Sequence, residues 1–169
     1  VEDYAAVPEM SAITIKDEVI RRIRSMSTTP YELVLLNFAN PDMLGHTGDF
    51  KATVRANEIV DQCVAQIAKE SLAMGGAVVI TADHGNCETM INRVTKQVDI
   101  AHTNNPVPLT MLTNMNEIES KVGVPLRRVG TGPKARSTGL LADVAPTVLG
   151  LLGMEIPANM TGVDLRPVL

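Results

Sequence analysis

The sequence predicts an α/β fold, a largely parallel sheet flanked by helices. Short apolar runs bounded by turn residues alternate with longer segments whose apolar residues recur at helical spacing. Their order, helix then strand then helix then strand, is the one that sets crossover helices between parallel strands. The 169 residues, 45% hydrophobic and 20% charged, suffice for one ordinary core and are too few for two comfortable ones. With two Phe, two Tyr and no Trp, that core is aliphatic.

The first helix lies in PEMSAITIKDEVIRRIRSM. Ser11 is its expected N-cap, Ala12, Ile15, Val19 and Ile23 form its buried stripe, and Lys16, Asp17, Arg21 and Arg22 turn away. Pro30 closes this element. YELVLLNF (31–38) reads as a first strand, and ANPDMLGHTGD, dense in Asn, Pro and Gly, as irregular loop. A long helix N-capped by Asp49 then runs to about Leu72, with Ala52, Ala56, Val60, Cys63 and Ile67 on one face. GAVVIT is a second strand, expected to be buried on both faces because it lacks polar alternation. VPLTML (107–112) reads as a third, weakened by Pro108. LADVAPTVLGLLG (141–153) is a last apolar helix, stopped by Gly153.

Composition narrows the function classes. A net charge of −4 and a pI near 5.3 lack the basic footprint of a phosphate-backbone binder, and scarce aromatics argue against a base-stacking platform. The basic clusters in VIRRIRSM and LRRVGTGPKAR read as solvated surface. Cys63 and Cys87 make no disulfide framework, and Cys63 falls on an apolar helix face. No apolar run approaches the ~18 residues of a membrane span, and VEDYAAVPEM has no signal-peptide pattern. The expectation is a soluble protein of a reducing compartment, with neither membrane nor nucleic acid as partner. The chain begins without an initiator Met, in what reads as loop, which suggests a piece of a longer protein.

The chemistry concentrates at three histidines, His46, His84 and His102, each in a loop beside Asp, Gly, Asn or Thr. Asp42 precedes His46 by four residues; Pro41 and Gly45 argue for irregular backbone there, so the spacing means that both can reach one point. Asp83 and His84 are adjacent at a strand-to-loop transition, where Gly85 permits a turn. Both NPDMLGHTG and DHGN leave the carboxyl ends of expected strands, where open α/β sheets gather their ligands. Mixed carboxylate and imidazole donors suit Mn²⁺, Zn²⁺, Co²⁺ or Fe²⁺. Two Asp and three His exceed what one catalytic ion with an open position needs, so a pair of ions is the more natural count, and ion pairs serve phosphoryl chemistry. The competing readings make the aspartates turn formers and the histidines loop hydrogen-bonders, or draw Cys87 into a zinc site. Asn40, Thr47, Asn86 and Thr103 are candidates to orient the imidazoles.

PEMSA, NFANPDMLGHTGDFKATVRA, TADHGNCETM, AHTNNPVPLTML and LADVAPTVLGLLGMEIPANMTG resemble, in order and spacing, the C-terminal part of the cofactor-independent phosphoglycerate mutases, of the alkaline-phosphatase-like superfamily. The resemblance runs from about Pro8 to Asp164, and Thr47-Gly48-Asp49 after the first Gly-His sets the chain apart from the related phosphopentomutases. It implies that residues 1–169 are the C-terminal part of a metal-binding, phosphatase-like domain, without that domain's N-terminal part and without the transferase domain. It implies one ion, usually manganese, on Asp42, His46 and His102, and a second on Asp83 and His84. Zinc, cobalt or magnesium are the alternative ions, and 2,3-bisphosphoglycerate is not required.

The implied activity is that of a cytoplasmic isomerase of glycolysis, an intramolecular phosphotransferase interconverting 2- and 3-phosphoglycerate through a phosphoserine. The family's nucleophilic serine, an Asp completing the second site and most substrate-gripping arginines belong to the remainder of the polypeptide. No catalytic nucleophile is therefore assigned here; Ser11 matches a different family position. The piece alone is expected to be inactive. A non-catalytic metal-binding module, or another phosphohydrolase or phosphomutase of the superfamily, are the alternatives. INRVTKQVDI lacks an Asp-Gly turn common in the family, and Cys87 stands where alanine is common.

Overall fold

The computed structural model describes residues 3–25, 31–92, 94–113 and 139–167. Pro30 and the LRRVGTGPKAR cluster lie outside the described residues. Two compact units divide the chain: Val1–Met74 with His84–Val107, and Gly75–Asp83 with Pro108–Leu169.

The first unit is built along one long helix. It contains α1 (Ala12–Arg24), α2 (Asn40–Gly45) and α3 (Phe50–Ala73). Asp49 caps α3 as expected, its carboxylate accepting the Ala52 N–H at 2.9 Å. The buried stripe of α3 is Ala52, Ala56, Ile59, Cys63 and Ile67, with Ile59 in the place expected for Val60, which is only half-buried. Both lie about equally far from the stripe's centre line, so the partner helix decides between them, and α1 meets Ile59. Three clusters follow one another down this stripe. Leu44 of α2 packs on Ala52 and Ala56, with Tyr4, Ala5, Met10 and Met43 around them. Ala12 of α1 meets Ile59 and Cys63. Val19 and Ile23 meet Ile67. Leu44 is completely buried, and burying a leucine fully contributes roughly 1.5–3 kcal/mol.

Three further expectations for this unit are corrected. Ser11 holds the N-cap position of α1, but its side chain makes no capping bond. Lys16 does not turn fully outward: its side chain is only 13% exposed and pairs with Asp17, the aliphatic stem covering apolar surface. The run 31–38 is extended but forms no strand among the described residues. Leu36 and Phe38 pack against the helices, whereas Asn37 between them is exposed and Leu35, just before Leu36, is 91% exposed. That is the period-2 alternation of extended chain; a ladder also needs a hydrogen-bonded neighbour, and none of the described residues pairs with it.

The second unit holds β1 (Val78–Thr81), β2 (Leu109–Leu112), a 3₁₀ turn at Leu141–Asp143 and α4 (Val144–Leu151). β1 and β2 pair antiparallel, Val78 opposite Leu112 and Thr81 opposite Leu109. The α/β composition stands; the sheet of the described residues is this two-stranded antiparallel ladder, with no parallel pair among them. A parallel pair needs a crossover, usually a helix, and the described residues between Thr81 and Leu109 contain no helix. Nor is β1 buried on both faces; Val78, Val79 and Ile80 are half-buried and Thr81 is exposed. Pro108 sits just outside β2, where its missing N–H costs no ladder bond, and its carbonyl accepts from the Thr81 hydroxyl at 2.9 Å. After α4, Gly153 adopts a left-handed φ of 68°, the expected stop. The chain beyond returns onto the helix: the Val163 N–H donates to Asp143 and the Leu165 N–H to the Thr147 hydroxyl.

Candidate metal centre

Asp42 is carried by α2, a helix where irregular loop was expected, and His46 is its C-cap. Pro41 is tolerated because it sits in the first turn, where its missing N–H would have no intrahelical partner. Gly45 is required by packing: a Cβ there would run into the buried side chain of Asn86. With helical backbone in between, the four-residue spacing puts Asp42 and His46 on one face, and Asp42 Oδ1 lies 3.2 Å from His46 Nε2.

His102 approaches the same oxygen. Its Nε2 is 3.2 Å from Asp42 Oδ1 and 2.9 Å from His46 Nε2. His84 stacks on the His102 ring with centroids 3.7 Å apart. Asp42, His84 and His102 each offer a ligand atom within 4.8 Å of the others. The structure thus gathers Asp42, His46, His84 and His102, all in the first unit. Asp83 belongs to the second unit, two residues beyond the end of β1.

The donor chemistry favours a cation at this point. Asp42 Oδ1 is buried and accepts no hydrogen bond from the described residues, a state that costs free energy unless a positive charge faces it. His46 Nδ1 is 2.8 Å from the Ile100 carbonyl. A carbonyl can only accept, so Nδ1 carries the proton, and in a neutral ring Nε2 then presents a bare lone pair toward the carboxylate. Two lone-pair donors facing each other repel, and a cation between them removes the repulsion. The spacing agrees: donors about 2.0–2.2 Å from an ion such as zinc lie about 3.0–3.5 Å from one another, and the observed separations are 2.9 and 3.2 Å. A histidine whose second nitrogen is tied to a backbone carbonyl is also a recurrent feature of metal ligands.

The residues expected to orient imidazoles bond to backbone carbonyls or, for Thr103, to a carboxylate. The Asn40 amide donates to the Pro8 and Glu9 carbonyls, anchoring the N-terminal turns. The Thr47 hydroxyl donates to the Leu44 carbonyl at the end of α2. Asn86 reaches the Ile100 carbonyl at 3.5 Å. Thr103 donates to Glu88. Two contributors went unnoticed in the sequence: Ile100, which acts through its backbone and leaves no residue signature, and Glu88. The Glu88 carboxylate is opposed by burial, yet bonds from Thr103, Asn105 and backbone N–H groups outweigh that and hold it below the usual carboxylate range.

A family model described as the metalloenzyme superfamily matches residues 1–156. The chain belongs to this superfamily. Within it, the chain is 45% identical over 165 residues to a 2,3-bisphosphoglycerate-independent phosphoglycerate mutase of Clostridium tetani, covering 98% of this chain and 29% of that protein. A second such mutase, from Methanosarcina barkeri, is 47% identical over 162 residues, with 96% and 27% covered. Among solved structures, a phosphoglycerate mutase of Leishmania mexicana crystallised at low cobalt concentration superposes with a TM-score of 0.71 at 30% identity, covering 95% of this chain and 29% of that one. The chain therefore spans less than a third of the length of the relatives it matches. A metalloenzyme superfamily member with this donor set is suited to a divalent metal ion. No helix among its described residues is long and apolar enough to cross a membrane.

Proposed function

We propose that this chain is the metal-binding, C-terminal part of a phosphoglycerate mutase that interconverts 2- and 3-phosphoglycerate through a phosphoserine. Its two ions, usually manganese, are held by Asp42, His46 and His102 and by Asp83 and His84. The observation that carries the reading is Asp42 Oδ1, a buried acceptor without a hydrogen bond, set 3.2 Å from two imidazole nitrogens. The resemblance to two mutases along nearly the whole chain supports the substrate class. When bound, such ions neutralise charge on a transferring phosphoryl group and activate its acceptor. The chain's own part is to hold the donors: α2 fixes Asp42 and His46 on one face, and the Ile100 carbonyl fixes the ring of His46. The nucleophilic serine and most substrate contacts belong to the remainder of the polypeptide. A cytoplasmic setting fits the two free thiols.

The test is manganese stoichiometry alongside mutase assays. Wild type should bind two ions. His46→Ala and His102→Ala should each lose the same one, and His84→Ala the other. This chain alone should turn over negligibly, and the complete polypeptide should be active. Unchanged stoichiometry in all three variants would return the histidines to structural roles. Full mutase activity of the isolated chain would overturn its reading as a partial domain.

A further inference from the structure

Two loops deliver histidines to the cluster, residues 84–88 with His84 and residues 102–105 with His102. Between them runs one short backbone bridge, Gly85 opposite Thr103, with the Thr103 N–H donating to the Gly85 carbonyl at 2.8 Å. A single bridge leaves the relative rotation of the two loops weakly defined, while metal ligation requires donors held to a few tenths of an ångström. The side chain of Glu88 spans this gap. Its Oε2 accepts the Asn86 N–H at 2.7 Å, within its own loop. Its Oε1 reaches the other loop, accepting from the Thr103 hydroxyl and from the Asn105 amide at 2.9 Å. The Asn105 amide also lies 3.3 Å from the Thr89 hydroxyl. Gly85 is part of the same fitting, since a Cβ there would run into Thr103 Oγ1 and lie 2.5 Å from Glu88 Oε1.

We infer that Glu88 is a positioning residue of the metal centre, a carboxylate clamp that locks the His84 loop to the His102 loop and so sets the spacing of the two imidazoles. It is not itself a ligand; its two oxygens are spent on three donors from both loops. A carboxylate suits the task because it accepts on both oxygens, whereas an amide accepts on one only. The inference rests on the proposed metal site.

The test is Co²⁺ titration of this chain, followed by the visible ligand-field band and by calorimetry, for wild type, Glu88→Gln, Glu88→Ala and Thr103→Val. Groups that orient ligands are typically worth about 10–100-fold in metal affinity. Glu88→Ala should weaken Co²⁺ binding about 10-fold and shift the band, and Glu88→Gln should fall between it and wild type. Thr103→Val should weaken binding in the same direction, and combined with Glu88→Ala it should cost less than the sum, because both cut the same clamp. Should Glu88→Ala fail to fold, Glu88→Gln and Thr103→Val carry the comparison. Wild-type affinity and an unshifted band in the folded variants would overturn the clamp while leaving the metal site standing. Absence of Co²⁺ binding by wild type would overturn the metal site itself, and the clamp with it.

Discussion

The Ile100 carbonyl lies 2.8 Å from His46 Nδ1 and thereby decides what the other face of that ring can do. With the proton on Nδ1, Nε2 points a lone pair at Asp42 Oδ1, which is buried without a donor. Between these two groups the contact is unfavourable without a cation and favourable around one. Asp42→Asn replaces one oxygen by an N–H₂ group that can donate to that lone pair. The variant should be more stable than wild type without metal, by about 1 kcal/mol, and should lose most of its stabilisation by added Mn²⁺. Thermal melts with chelator and with Mn²⁺ check both halves. A variant less stable than wild type in chelator would mean that the carboxylate already has a favourable partner.

Gly48, two residues beyond His46, holds a left-handed φ of 72°. A Cβ there would also approach Val98 to 2.7 Å. Val98 is exposed and can move aside, so the backbone penalty decides the outcome. Gly48→Ala should cost about 1–2 kcal/mol, read from urea unfolding. Gly153, also left-handed but with open space around its Cβ position, is the control. Gly153→Ala should show the backbone cost alone.

How far these features were legible in the sequence depends on what carries them. The helix α3 was legible because its apolar period and its Asp49 cap are both written in side chains, and only Ile59 against Val60 was left to the partner helix. The helix α2 was not, because Pro41 and Gly45 are breakers in general and harmless in a first turn and a last position. The antiparallel pairing of β1 with β2 was not legible for a similar reason: alternation of elements implied crossovers, but the 82–108 connection has no helix among its described residues. At the site, Asp42 and the histidines were visible as donor types. The Ile100 carbonyl was invisible, as any backbone group is. Glu88 was passed over because a lone glutamate in TADHGNCETM carries no signal until Thr103 and Asn105 are known to face it.

The two thiols should behave differently. Cys63 is 3% exposed, and burial pushes its thiol up from the ordinary range, so little thiolate is available to react. Cys87 is half-buried beside the Asn57 amide, 3.7 Å from its sulfur. A thiol-specific disulfide reagent should label one cysteine rapidly in the native protein and a second only on unfolding, and Cys87→Ser should remove the fast phase. Added Zn²⁺ should leave the fast phase intact; protection by zinc would revive the reading in which Cys87 is a ligand.

Asp143 governs the acid limb of stability in the second unit. Its carboxylate accepts the Leu140 N–H at 2.7 Å and the Val163 N–H at 2.8 Å. These two bonds, opposed by burial, hold its pKa below the ordinary value of 3.8. A carboxylate depressed on folding stabilises the native state above its unfolded pKa, and that contribution is lost as pH falls through the folded value. Asp143→Asn keeps one acceptor oxygen and turns an amide toward the other N–H. The variant should therefore unfold at lower urea than wild type at pH 7. The gap between the two should narrow steadily from about pH 5 downward, as wild type loses its charge and the variant has none to lose. Urea midpoints at pH 7, 5, 4 and 3 measure that gap. A gap constant across the series would mean that the latch onto Leu140 and Val163 works through shape and neutral hydrogen bonding, and that the charge on Asp143 contributes nothing.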